Sequence, residues 1–306
     1  MSLVLANAPV SYGVFELTVG TERYLPPAEE MLDALVRAGY QGVDLGPLGY
    51  LGAAATLGPR LAERSLGLAG AYIELPFDDA AALDAAWPSL DATLDVFDGC
   101  AGLVAGRPVA RPTLAAAGSP PHQQRPGQSE RDHSIGLDGA GWARFTAGLR
   151  RVLDHCRARG YEPAFHHHAG TAIEAPWEID RLLASSDVGL CFDTGHLLVG
   201  GGDPVKCLHR WASRIKQVHI KDARRSAMDQ LISDGAGSIE IWTRGIFCAL
   251  GGGDLDIAGV VAGLGSIGYS GWMVVEQDTL VADRAGFDRA VRDQRANRDA
   301  LSELGL

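Results

Sequence analysis

The chain has 306 residues, 46% of them hydrophobic and 21% charged, with a formal net charge of −11. That balance suits a globular protein with a large buried core, and the acidic surplus argues against nucleic acid or anionic membrane as partners, since both select basic surfaces. Nothing approaches the roughly 18 continuous apolar residues of a membrane span, and Pro9, Tyr12 and Glu16 interrupt the only apolar start, so a cytoplasmic protein without a signal peptide is expected.

The elements alternate short apolar runs with longer amphipathic segments. LVLANAPV (3–10) reads as the first strand. Pro26 and Pro27 open a helix that runs to about Arg37 and stops at Gly39, the usual proline-start and glycine-stop asymmetry. GVDLG (42–46) is a second strand, 57–67 a short helix, and LAGAYIEL (68–75) a third strand. Residues 79–98 read as a long helix with a break near Pro88, and AGLVAG (101–106) as the fourth strand. From 107 to 139 the Pro, Gly, Gln and Arg content removes any period, so this stretch is expected to be a lid, or else a mobile insertion. A helix from Trp142 to Arg159 follows, stopped by Gly160.

The second half keeps the rhythm. PAFHH (163–167) is strand five, with a helix from Pro176 through Leu183; VGLCF (188–192) is strand six, with a helix from about Asp203 to Trp211. IKQVHI (215–220) is strand seven, and a second irregular stretch, 222–253, carries most of ALGGGD (249–254). A helix over 256–268, WMVVEQ (272–277) as strand eight, and a charged helix over 283–304 complete the chain. Eight strand–helix units are what a closed (β/α)8 TIM barrel needs, here one domain over 1–306. Near-continuous apolar strands fit a parallel sheet covered on both faces. An open doubly wound sheet should carry a Gly-rich phosphate turn after its first strand, and NAPVSYG (7–13) is not one.

A parallel barrel brings all its strand C-termini to one face, so residues distant in sequence meet there. Glu174, Asp193, His219 and Glu276 then supply three carboxylates and an imidazole, a donor set suited to a divalent cation. Each has a blander reading: His219 as a hydrogen-bonded core histidine, Asp193 as a helix cap. Alternation along a strand sends His166 and His168 one way and His167 the other. Lys221 shares a face with His219, and Asp222 stands at the loop entrance. His196 is a candidate for a substrate hydroxyl or for acid catalysis. Tyr12, Glu16 and Glu74, near the first and third strand ends, are candidate substrate contacts or ordinary loop residues. GGGD (251–254) is either an anion cradle of backbone amides or a tight turn. The five cysteines are scattered and form no CxxC pair, which suggests buried free thiols in a reducing compartment.

Through HHHAGTAIE (166–174), CFDTGHLLVGGGDP (191–204) and RIKQVHIKD (214–222), the chain resembles the xylose-isomerase-like barrel superfamily of sugar isomerases, epimerases and dehydratases. Among its members the inosose dehydratases look nearest, and the likeness extends from NAPVSYGVFELT (7–18) to GYSGWMVVEQD (268–278). The resemblance implies one Mn2+- or Co2+-type site at the barrel mouth. Asp193, His219 and Glu276 map directly onto its ligands, and Glu174 is expected as the fourth, with His166 or His168 as substitute. It further implies a metal-dependent lyase that dehydrates a cyclic keto-polyol such as 2-keto-myo-inositol through an enediolate. His168, His196, Lys221 and Glu276 are then the acid–base candidates, and His166, Tyr12, Glu16 and Asp222 the substrate contacts. A keto-sugar isomerase or epimerase shares the first step. A non-catalytic sugar-binding barrel, or a subunit of an assembly, is a further alternative. Homo-oligomerisation is expected by resemblance alone.

Overall fold

The computed structural model describes residues 3–306. Its strands are β1 (Leu3–Asn7), β2 (Gly42–Asp44), β3 (Gly67–Leu75), β4 (Arg111–Ala116), β5 (Ala164–His166), β6 (Gly189–Asp193), β7 (Ile215–Ile220), β8 (Asp222–Ala223), β9 (Phe247–Cys248) and β10 (Gly271–Val275). All but β8 and β9 close into a parallel barrel in the order β1-β10-β7-β6-β5-β4-β3-β2. β8 and β9 form a separate antiparallel pair above β7. The barrel expected from the alternation of elements is therefore the observed fold, with helices packed around it.

The fourth strand is not where the apolar pattern suggested. AGLVAG (101–106) forms turns after the helix Ala80–Cys100, with Gly102 and Gly106 at φ of 69° and 75°. The true strand, RPTLAA, lies inside the stretch read as irregular, and Pro112 disguised it. Proline is tolerated near the start of a strand, and here it pairs in register with Ala71. Nor does Pro88 break its helix, which runs unbroken while Leu83, Leu90, Leu94 and Phe97 stay buried. β1 ends at Asn7, because Pro9 opens a 3-10 turn over Pro9–Tyr12.

The two long connections are not structureless. The first also holds a short helix, Pro120–Gln124; the second holds helices Arg225–Ser233 and Ile239–Thr243 besides β8 and β9. They are bonded to each other and to the loop after β5. Ser238 N–H donates to Gln123 O at 2.8 Å, and Ser119 N–H to Gly170 O at 3.0 Å. Behind them buried His122 Nε2 lies 2.8 Å from Glu178 Oε1, which also accepts from the Ser129 hydroxyl at 2.6 Å.

At the N-terminal end of the barrel the Trp272 indole covers Gly42 and Gly67, where a Cβ would collide with its ring. Its Nε1 donates to Pro108 O at 3.1 Å. That end is filled, so the cavity opens at the other. All five cysteines are free. Among the described residues no helix is long and apolar enough to cross a membrane.

Candidate metal centre and pocket

Four neighbouring strands each deliver one donor to the C-terminal face. β5 ends on His166, β6 on Asp193, β7 carries His219, and Glu276 follows β10. Register makes them meet: Asp193 pairs with His219, His219 with Val274, and the Glu276 N–H donates to Ile220 O at 3.0 Å. The side chains of His166, Asp193, His219 and Glu276 present ligand atoms all within 4.8 Å of one another, and all four residues are buried. His166 Nε2 lies 3.3 Å from Asp193 Oδ2; His219 Nδ1 lies 3.9 Å from the same oxygen and 3.3 Å from Glu276 Oε1.

Those separations suit a shared cation. Two ligand atoms each about 2.1 Å from one ion stand about 3.0–3.4 Å apart in octahedral or tetrahedral geometry. His219 Nδ1 is buried and makes no hydrogen bond, as a nitrogen reserved for an ion would be. On its other side, His219 Nε2 lies 3.5 Å from the Gln217 amide, whose oxygen is also unpartnered. Turning that amide over would let Oε1 accept from Nε2–H, fixing the tautomer that leaves Nδ1 free to coordinate. Cys191 lies close to His166 and His219, but burial pushes its thiol up to about 11. It keeps its proton, and the carboxylates are the better ligands.

Beside this set stands a second cluster, centred on the buried ammonium of Lys221. Its Nζ lies 2.7 Å from Asp278 Oδ1, 2.9 Å from Glu276 Oε2, 3.1 Å from His196 Nε2 and 3.4 Å from Asp193 Oδ2. Burial works against the charge, but Asp193, Asp278 and Glu276 together hold Lys221 well above the usual lysine range. Three carboxylates against one ammonium leave a charge of −2, which one divalent ion would neutralise. His168 and His196 are the reverse case. Burial keeps both neutral, helped by His166 and Lys221 at His168 and by His168 and Lys221 at His196, with His168 at about 3 and His196 well below the usual histidine value. Asp278 is raised to about 6, because burial and Glu276 outweigh Lys221. Asp44 is raised to about 6, chiefly by burial.

Apart from Asp193 and Cys191, which do not line it, these groups face a cavity of about 380 Å3 at the barrel mouth. Glu16, Glu74, His166, His168, His196, His219, Lys221 and Glu276 face it, as the sequence suggested. Other expected residues do not. Glu174 lies outside the donor set, because the turn in which His168 N–H bonds Ile173 O carries it behind the loop. Its carboxylate accepts instead from the N–H groups of Gly127 and Gly170, the latter at 3.1 Å. His166 stands in its stead. Tyr12 is fully buried against Phe287, with ring centroids 6.1 Å apart, and does not line the cavity. Asp222 turns away from the cavity and accepts from the N–H groups of Gly251, Gly253 and Leu255, each at 2.9 Å. The Gly251 and Gly253 amides of GGGD thus hold the chain's own Asp222 carboxylate and are not directed at the cavity.

Asp44, Tyr72, Gln123, Trp242 and Asp278 line the cavity without having been singled out. Asp278 had a signal, since it sits two residues beyond Glu276 and alternation aims both the same way. Trp242 had none, because its short helix lies in a stretch with no period. Its Nε1 donates to Asp278 Oδ2 at 3.2 Å, and its ring stacks over His168 at 6.1 Å.

A closed parallel eight-stranded barrel whose mouth holds two histidines and two carboxylates within reach of one ion defines a class of metal-dependent barrel sites. The chain belongs to the xylose isomerase-like TIM barrel family, whose model matches residues 32–295. It is 39% identical over 151 residues to an inosose dehydratase of Geobacillus kaustophilus, a match covering 48% of this chain and 49% of that protein. The chain spans about half the length of the curated relatives it matches. In structure it is similar to an L-ribulose 3-epimerase, with a TM-score of 0.67, 18% identity and coverage of 100% and 94% of the two chains. It is also similar to the IolI protein, whose crystal structure carries a zinc atom, with a TM-score of 0.68, 13% identity and 98% of each chain covered.

Proposed function

We propose that this protein is a metal-dependent carbon–oxygen lyase that removes water from a cyclic keto-polyol such as 2-keto-myo-inositol. The observation that carries the reading is the joining of two clusters through Glu276, with a cation-type donor set on one side and the Lys221–Asp278 ion pair on the other. Inosose dehydratases among the relatives supply the substrate class. His166, Asp193, His219 and Glu276 would hold Mn2+ or Co2+. Bound there, the ion supplies Lewis acidity that makes the hydrogen next to the ketone removable.

The chain's own groups divide the remaining work by their proton affinities. A catalytic acid or base works best with a pKa near the operating pH, which favours Asp278 over His168 and His196. Asp278 takes the α-proton. The electron pair left behind forms the double bond as the β-carbon–oxygen bond breaks. Asp278 then passes that proton to the departing hydroxide, so water leaves and the carboxylate is regenerated, while Lys221, held well above the usual lysine range, keeps its charge and positions Asp278 from 2.7 Å away. Neutral His168 and His196 hold substrate hydroxyls, and Glu16 and Glu74 line the far wall. The free cysteines favour a reducing, cytoplasmic setting.

The test is to strip the protein of metal, restore Mn2+, Co2+, Mg2+ or Zn2+ singly, and follow 2-keto-myo-inositol in the ultraviolet. A conjugated enone signal restored by Mn2+ or Co2+ is expected, and Glu276→Gln should abolish it while the protein still folds. Near-normal metal-dependent turnover by that variant would overturn the scheme. Bound metal with a rearranged, non-absorbing product would identify an isomerase or epimerase instead.

A further inference from the structure

Two donor sets meet at the barrel mouth, and the Lys221 ammonium stands beside one of them. The second consists of His168, His196 and Asp278, whose ligand atoms also lie within 4.8 Å of one another. His168 Nδ1 is 3.0 Å from Ala169 O, so donating there leaves Nε2 with its lone pair. Glu276 spans the two sets: Oε1 is 3.3 Å from His219 Nδ1, and Oε2 is 2.9 Å from Lys221 Nζ. Asp193 Oδ2 likewise lies 3.3 Å from His166 Nε2 and 3.4 Å from Lys221 Nζ. Two carboxylates reaching both ways are the usual arrangement of a paired-metal centre, with ions about 3.5–4 Å apart.

We infer that the Lys221 ammonium stands where the second ion of a carboxylate-bridged pair would sit, and that it keeps this centre mononuclear. The ammonium meets the requirements of that position. It is a compact cation on a flexible stem with three donors, and it lies within 3.4 Å of three carboxylate oxygens, from Asp278, Glu276 and Asp193, and 3.1 Å from His196 Nε2. The ammonium itself also lies over the Phe247 ring, with Nζ 5.0 Å from the centroid. Removing the ammonium while keeping most of the apolar stem should therefore open a second divalent-cation site made by His168, His196 and Asp278, bridged to the first by Glu276. The inference rests on the metal centre proposed above and not on the substrate.

The measurement is Co2+ stoichiometry after chelation and re-equilibration, by elemental analysis and by titration, on protein whose fold is checked by circular dichroism. Wild type should hold one ion per chain, Lys221→Met two, and Lys221→Met with Asp278→Asn one again. If the methionine variant does not fold, Lys221→Gln serves the same purpose. A folded Lys221 variant that still holds one ion overturns the inference, and so does a wild type that holds two. Wild type with none, beside a Lys221 variant with one ion lost on Asp278→Asn, would overturn the first metal centre and uphold the second. No ion in either protein would overturn both.

Discussion

Gly195 sits in the first turn of the helix Thr194–Val199, where two physical arguments predict opposite signs for Gly195→Ala. Helix propensity alone favours alanine by about 1 kcal/mol. Sterics oppose it: a Cβ there would lie 2.6 Å from Lys221 Cγ and 2.8 Å from its Cβ and Cδ. These are the root of a side chain only 2% exposed, so the lysine cannot swing aside and keep its ammonium among Asp193, Glu276 and Asp278. Stranding buried charges costs about 3–5 kcal/mol, so the net loss after the helix gain is roughly 2–4 kcal/mol. At about 2–4 °C per kcal/mol for a large domain, the melting temperature should fall by about 4–16 °C. The assay is thermal unfolding followed by circular dichroism on metal-stripped protein at neutral pH. With a divalent ion bound, the same carboxylates are partly neutralised and the gap between variant and wild type should narrow. A metal-free variant that melts at or above wild type would refute the steric argument.

Two further outcomes are expected. His166→Gln should lower Co2+ affinity by more than about 10-fold, whereas Glu174→Gln, remote from the donor set, should leave it within a factor of about two; equilibrium titration decides, and the opposite ranking would restore Glu174 as the ligand. Glu174 should also mark the pH dependence of stability. Burial raises its carboxyl to about 8, against the N–H groups of Gly170 and Gly127. A raised folded pKa means that the folded state binds the extra proton, so this stability is full below about pH 4.5 and is lost as pH rises through about 8. The loss is on the order of a few kcal/mol. Glu174→Gln should flatten that part of a denaturation-midpoint profile, and an unchanged slope between pH 5 and 8 would contradict the assignment.

Particular residues explain what was readable in the sequence. Asp193, His219 and Glu276 were legible because each closes an apolar run, and a parallel barrel fixes where such ends go. Glu174 was preferred to His166 as the fourth donor, but the choice depends on how the loop folds back through the His168–Ile173 bond. That is tertiary information. The fourth strand was hidden by Pro112 at its start, while AGLVAG imitated one with apolar residues between glycines that turn the chain. Asp222 looked like a pocket residue from its position after β7, yet three backbone N–H groups of a loop some thirty residues away claim its carboxylate. Trp242 and Gln123 reach the cavity from connections with no periodicity, which pattern reading cannot orient.

The bonds that join the two long connections bear on how such a pocket can diversify. Ser238 leans on Gln123, Ser119 on Gly170, and His122 with Ser129 on Glu178. Each of the three loops is thus shaped partly by groups belonging to another. Exchanging one of them between relatives would leave the survivors with acceptors and donors facing the wrong backbone. New selectivity on this scaffold is therefore more readily reached by point changes within the shared wall, or by exchanging all three segments together, than by grafting a single loop.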